Sequence, residues 1–152
     1  MKLLIATDAS EFSNAAIDKC LELLKTEALS VKVISVLEPP LTTAEPFAGA
    51  VDFYRETEEA VRRQAETAVK LAEDRVREHF GASMPENILS SEILIGSPAR
   101  RIVEEAQNWE ADLIVIGSHG YGFWERMMLG SVSQSVVHHA PCSVLVVRKD
   151  AG

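Results

Sequence analysis

The sequence predicts an α/β fold built on a parallel five-stranded sheet, and three observations carry that reading. Five short apolar runs are separated by segments of helical periodicity, giving the order βαβαβαβαβ. The runs are continuously apolar rather than alternating, as strands covered on both faces are. Each connection is long enough for a helical crossover, which returns the chain to the same end of the sheet and makes neighbouring strands parallel.

The elements follow in order. Leu3–Thr7 is the first strand, ending at Asp8. Phe12, Ala16, Cys20, Leu23 and Leu24 then recur at helical spacing, with Glu11, Asp18, Lys19 and Glu22 opposite. Val31–Leu37 is a β-branched second strand. The three prolines of Glu38–Gly49, without periodicity, mark a surface loop. Phe53–Phe80 is one long helix with Val61, Ala65, Ala68, Ala72, Val76 and Phe80 on its stripe. At ~1.5 Å per residue it is about 42 Å long, and Gly81 is placed to stop it. A weaker third strand falls within Ile88–Ile95. Ser97 and Pro98 suit the cap and first turn of a helix whose apolar face is Ile102, Val103, Ala106 and Trp109. Asp112–Ile116 is the fourth strand, Ser131–Ala140 the last helix and Ser143–Val147 the fifth strand.

The chain has 152 residues, which suggests a single domain over 1–152. Its formal charge of −8 repels nucleic-acid backbones and anionic membranes, so neither is an expected partner, and any phosphate site must be built locally. Two cysteines, Cys20 and Cys142, carry no pairing pattern and are expected as reduced thiols near the core. The opening apolar run is too short for a signal peptide, and no stretch reaches the ~18–20 apolar residues of a membrane span, so a cytoplasmic location is expected.

The segment that carries chemistry is Gly117-Ser118-His119-Gly120-Tyr121-Gly122-Phe123-Trp124-Glu125-Arg126-Met127-Met128-Leu129-Gly130-Ser131. It starts at the carboxyl end of the fourth strand, where parallel α/β sheets bind ligands. Glycines tolerate positive φ and let a backbone approach closely. The helix start at Gly130, Ser131 and Ser133 offers N–H donors and two hydroxyls to an anion. There is no G-x-x-x-x-G-K-[ST] and no G-x-G-x-x-G, because Glu125 stands three after Gly122. On the residues alone, the glycines fit a phosphate site or a plain strand-to-helix connection.

The same segment resembles the nucleotide motif of universal stress proteins, G-x2-G-x9-G-[ST], with Gly117, Gly120, Gly130 and Ser131 in register. Leu4-Ile5-Ala6-Thr7-Asp8-Ala9-Ser10, Gly96-Ser97-Pro98-Ala99 and Ala140-Pro141-Cys142-Ser143-Val144-Leu145-Val146-Val147 resemble other segments of that family, so the likeness covers nearly the whole chain. Two positions depart from its common variants: Ala9 follows Asp8 where glycine is frequent, and Trp124 sits in the motif's variable stretch.

The resemblance implies a Rossmann-like three-layer sandwich with strand order 3-2-1-4-5 and a crevice between strands one and four. It implies ATP, or AMP or ADP, in that crevice with Mg²⁺ accompanying the phosphates. Ala6, Thr7, Asp8, Val36, Ile116, Gly117, Ser118, His119, Gly120, Gly130, Ser131, Val132 and Ser133 are then the expected nucleotide-binding residues. Val36 would pack on adenine, and Asp8 would bond the nucleoside or help hold a metal. It also implies a homodimer through Val144, Leu145, Val146 and Val147, because an apolar edge strand without protection is normally covered.

Other candidates are weaker. His119 has no carboxylate or nucleophile tied to it by spacing, so no catalytic role is expected. His138 and His139 are adjacent and point to different sides of a helix, which excludes an i, i+4 metal pair and suits helix-end residues. Arg126 either neutralises phosphate or is solvated. Phe123, Trp124, Met127, Met128 and Leu129 are expected to pack on their own domain. Without a general base or a Walker-type lysine, the expected function is an ATP-binding stress-response regulator with at most slow hydrolysis. An adenine-nucleotide α-hydrolase-like enzyme and a nucleotide-free interaction module are the alternatives.

Overall fold

The structure is a computed structural model, and it describes residues 1–24, 30–39, 50–81, 84–85, 87–120 and 129–149. Nine elements follow the expected order: β1 (Lys2–Ala6), α1 (Glu11–Leu23), β2 (Ser30–Leu37), α2 (Ala50–Phe80), β3 (Leu89–Ile95), α3 (Pro98–Asn108), β4 (Leu113–Gly117), α4 (Ser131–His139) and β5 (Ser143–Val147). The five strands form one parallel sheet in the order β3-β2-β1-β4-β5. Element ends coincide with the sequence reading, as at both ends of β5, or differ from it by one to three residues. The loop expected over Glu38–Gly49 lies outside the described residues beyond Pro39.

Strand pleating divides the core into two layers. Leu3, Ile5, Val31, Val33 and Val115 face α1 and α2, where they meet Ile17, Cys20, Leu21, Val69, Ala72 and Val76. Leu4, Ile34, Leu94, Ile114 and Ile116 face α3 and α4, against Ile102, Ala106 and Val136. Adjacent residues of one strand thus serve opposite layers, which is why the runs read as continuously apolar. The fifth strand is an edge, and Val144–Val147 are half-buried, alternating between the two layers.

The long α2 has 31 residues, about 46 Å at ~1.5 Å per residue. Ala65, Ala68, Ala72 and Val76 on the expected stripe are buried, while Val51–Gln64 stay exposed or half-buried. Gly81 follows with φ 57°, the left-handed stop that glycine takes without a Cβ penalty. At the start of α3 the structure departs from expectation. Ser97 is the N-cap residue and Pro98 opens the helix, but the Ser97 side chain makes no capping hydrogen bond. Its carbonyl does accept from the Arg101 N–H, so the helix entry is set by backbone geometry.

Both cysteines are free thiols, Cys20 buried and Cys142 half-buried. Burial pushes the Cys20 thiol up to about 11. The protonated form is therefore the folded one, and its contribution holds below the ordinary thiol range and is lost as pH rises toward that value. Native protein treated with iodoacetamide at pH 8 should leave Cys20 unmodified, and denaturant should expose it. Mass spectrometry of the alkylated peptides checks this.

Candidate functional site

At the carboxyl end of the sheet the connections diverge. From β1 the chain crosses by α1 to β2, whereas β4 lies on the other side of β1 and continues by α4 to β5. A cleft opens at this switch point, as the geometry of doubly wound sheets requires. It measures about 170 Å³ and is lined by Ala6, Thr7, Asp8, Ser13, Ile34, Val36, Pro98, Ile102, Ile116, Gly117, His119, Gly120, Val132 and Ser133.

Ten of the thirteen residues singled out from sequence are on that wall. Ser118, Gly130 and Ser131 are not. Ser118 is buried behind it, where its N–H donates to the Val147 carbonyl (2.8 Å) and its carbonyl accepts from the Gly130 N–H (2.8 Å). Gly130 is the N-cap residue of α4, and Ser131 is exposed at the first helical position. Because Gly130 spends its N–H on Ser118, the donors left at this helix end are those of Ser131, Val132 and Ser133, which have no acceptor within the helix. The Ser133 hydroxyl donates to the carbonyls of Gly117 (2.8 Å) and Ser118 (3.1 Å). That hydroxyl pins α4 to the end of β4, and only its lone pairs remain for a ligand.

The opposite wall is a hydroxyl cluster under Asp8. Thr7 Oγ1 donates to Ser13 Oγ (3.2 Å) and accepts from the Ala9 N–H (3.2 Å). Ser13 Oγ donates to the Ser10 carbonyl (3.0 Å), while Ser10 Oγ caps α1 by accepting from the Ser13 N–H (3.2 Å). Asp8 Oδ1 accepts from the Ser10 N–H (2.9 Å), an Asx-turn that turns the strand into the helix. Ala9 sits in this turn with φ 62°. A left-handed alanine costs roughly 1 kcal/mol relative to glycine. Ala9→Gly should therefore raise stability by about that amount, measured by urea unfolding.

The floor is apolar. Ile34 and Val36 lie two apart on β2 and share a face, while Pro98 and Ile102 stand one turn apart at the start of α3. Ser13, Ile34, Pro98 and Ile102 were not identified from the sequence. Ile34 could have been, since period two from Val36 puts it on the same side. Ser13 and the α3 pair could not, because only the docking of α1 and α3 on the sheet brings them there. His119 is buried, with Nδ1 2.9 Å from Ser118 Oγ and its ring edge-on to Phe12.

The glycines of the segment have a role that sequence did not specify. Among the described residues only Gly81 and Gly96 are glycines with positive φ, so Gly117, Gly120 and Gly130 do not use glycine's conformational freedom. What matters at these positions is the space a side chain would enter. A Cβ on Gly117 would lie 2.6 Å from the Phe12 carbonyl carbon and 2.7 Å from the Ser13 nitrogen. One on Gly120 would lie 2.8 Å from Asp8 Oδ2, and one on Gly130 would lie 3.2 Å from the Ser118 carbonyl oxygen.

Phe123, Trp124, Arg126, Met127 and Met128 lie outside the described residues. Among those described, no group of three or more His, Cys, Asp or Glu side chains is placed to hold a metal, His138 and His139 included. No helix among them is long and apolar enough to cross a membrane.

A family model for the universal stress protein family matches residues 1–148. Universal stress protein MJ0531 of Methanocaldococcus jannaschii is 33% identical over 150 residues, covering 97% of this chain and 82% of its own length. The structure of universal stress protein UspA from Lactobacillus plantarum has a TM-score of 0.74 at 28% identity, covering 97% of each chain. An Arabidopsis thaliana universal stress protein family protein, solved with AMP bound, has a TM-score of 0.66 at 20% identity, covering 99% of this chain and 93% of the other. At that identity the likeness is one of fold. The match along almost the full length, joined to the strand order and the switch-point cleft, means that this chain belongs to the universal stress protein family.

Proposed function

We propose that the cleft binds an adenine nucleotide and that the protein acts as a nucleotide-dependent regulator in a stress response. One observation carries the reading: residues from β1, β2, β4 and α4, far apart in sequence, converge on one wall with an apolar floor and unpaired helix N–H donors at its end. Ile34, Val36, Pro98 and Ile102 offer an apolar bed for a purine. The α4 N-terminus offers N–H groups to phosphate oxygens, favoured by the helix dipole. The AMP complex of the Arabidopsis relative supports the same class of ligand.

ATP with Mg²⁺ is the form proposed. The described residues build no metal cage of their own, but Asp8 beside a triphosphate fits the way Mg²⁺ is held, through one or two carboxylates plus phosphate oxygens. Among the described lining residues Asp8 and His119 are the titratable ones, and no lysine lines the cleft. That set suits holding a nucleotide, with hydrolysis slow at most.

The test is direct. Purified protein is denatured and any released nucleotide identified by chromatography, for wild type and for Gly130→Arg. Adenine nucleotide from wild type but not from the variant is the expected result. An empty wild type that shows no thermal shift with ATP or AMP overturns the reading, and prompt turnover of added ATP points to an enzyme instead.

Among the described residues β5 is the last strand of the sheet, which leads to a second proposal, a homodimer in which this edge meets its own copy around a two-fold axis. Sedimentation velocity at micromolar concentration should show a dimer, and a monomer alone would overturn it.

A further inference from the structure

We infer that Gly120 is a positioning residue for the Asp8 carboxylate, its lack of a side chain leaving room for Oδ2. The inference rests on the reading of the cleft as a nucleotide site. It begins from how the two oxygens of Asp8 are used. Oδ1 accepts from the Ser10 N–H at 2.9 Å, which ties the carboxylate to the entry of α1. The other oxygen, Oδ2, lies 2.8 Å from where a Cβ at position 120 would sit, too close for both to stay in place. The carboxylate of the β1 end is thus lodged over the backbone just beyond β4, across the cleft mouth that both residues line.

Gly117 and Gly120 differ in what opposes them. At Gly117 the obstruction is backbone, the first turn of α1, which cannot turn aside. At Gly120 it is the end of a rotatable side chain. A methyl group there would swing the carboxylate out of place, break its bond to Ser10 and leave the surrounding chain where it is. Any ligand group that Asp8 recognises, a hydroxyl or amine donor of the nucleoside or a cation carried by the phosphates, would then lose its partner. The effect of Gly120 on binding passes through Asp8.

A double-mutant cycle tests this. Mg-ATP and AMP affinities are measured by calorimetry for wild type, Asp8→Ala, Gly120→Ala and the double variant, with melting temperatures for each. A lost hydrogen bond to a charged group predicts that each single variant weakens binding roughly tenfold or more. The double variant should bind no worse than Asp8→Ala, and Gly120→Ala should melt close to wild type. Losses that multiply in the double variant would show that Gly120 acts on the ligand independently. Wild-type affinity in Gly120→Ala, or a large drop in its melting temperature, would equally overturn the proposal.

A readout without nucleotide separates this inference from the reading of the site. In wild type the Ser10 N–H donates to Asp8 Oδ1, so Asp8→Ala should move the Ser10 amide resonance in NMR spectra at fixed pH. In Gly120→Ala the same resonance should move to about the position it takes in Asp8→Ala. A Ser10 resonance left at its wild-type position in Gly120→Ala would refute the positioning role whether or not the protein binds a nucleotide. A wild type that binds none, with the resonance moved in the variant, would leave the positioning role standing and refute the nucleotide site.

Discussion

Gly117→Ala is expected to destabilise the protein by about 3 kcal/mol or more, at the upper end of overpacking penalties. The methyl group would enter a space already held by the Phe12 carbonyl carbon at 2.6 Å, the Ser13 nitrogen at 2.7 Å and the Phe12 oxygen at 2.8 Å. All three are backbone atoms of the first turn of α1. The helix can relieve the overlap only by moving away from the sheet. That movement would open the layer in which Ile17, Cys20 and Leu21 are buried against Leu3, Ile5 and Val115. It would also carry Ser13 out of the cleft. For a chain of this size 3 kcal/mol lowers the melting temperature by roughly 6–12 °C. Gly81→Ala is the control: φ is 57° there but nothing lies within 4 Å of the added Cβ. It should cost only about 1 kcal/mol, the backbone penalty alone. Equal losses at the two sites would refute the packing explanation.

Lys32→Ala has the second-largest expected effect, about 2–3 kcal/mol. The Lys32 ammonium is 15% exposed and bridges two carboxylates, Glu105 of α3, 13% exposed, and Glu92 of β3, 48% exposed. Burial works against its charge, but hydrogen bonds to Glu105 and then Glu92 outweigh that and hold it above its ordinary value. Removing one partner of a buried pair costs about 3–5 kcal/mol, because the other charge is left unpaired in a poor solvent. The half-exposed Glu92 reduces that figure here. The sign of the pH dependence follows. A lysine whose folded value is raised contributes stability below its unfolded value, and that contribution is lost as pH rises through the folded value, in the strongly alkaline range. Urea unfolding at pH 7 measures the loss, and a deficit below about 1 kcal/mol would refute the buried-pair account. Lys32→Met combined with Glu105→Leu should recover much of the loss. Since α3 also brings Pro98 and Ile102 to the cleft, the same variant should weaken nucleotide binding if the proposed site is correct.

Element type and order were legible because they rest on local signals. The β-branched run around Val31–Leu37, the alanine stripe of α2 and Gly81 after Phe80 each encode their own conformation within a few residues. The parallel arrangement followed from strict alternation of strand and helix. The strand order and the crevice between β1 and β4 followed instead from the resemblance, and the structure has both. Asp8 and Val36 were named in the same way and both line the cleft. The Ser97 side-chain cap was not found, since a capping residue in sequence offers a hydrogen bond that the local backbone need not accept.

By itself, then, the sequence determined which segments form strands and which form the helices that cover them. Only the tertiary structure decided what a side chain at position 117 or 120 would meet. The φ angles there ask for nothing special, so no local turn rule could supply this. The atoms that a side chain would meet at these positions belong to Phe12, Ser13 and Asp8, more than a hundred residues earlier in the chain. The same holds for Lys32, whose partners Glu92 and Glu105 lie on two other elements. Periodicity and turn chemistry act over a few residues, whereas the need for space or for a counter-charge is set by whatever the fold brings alongside.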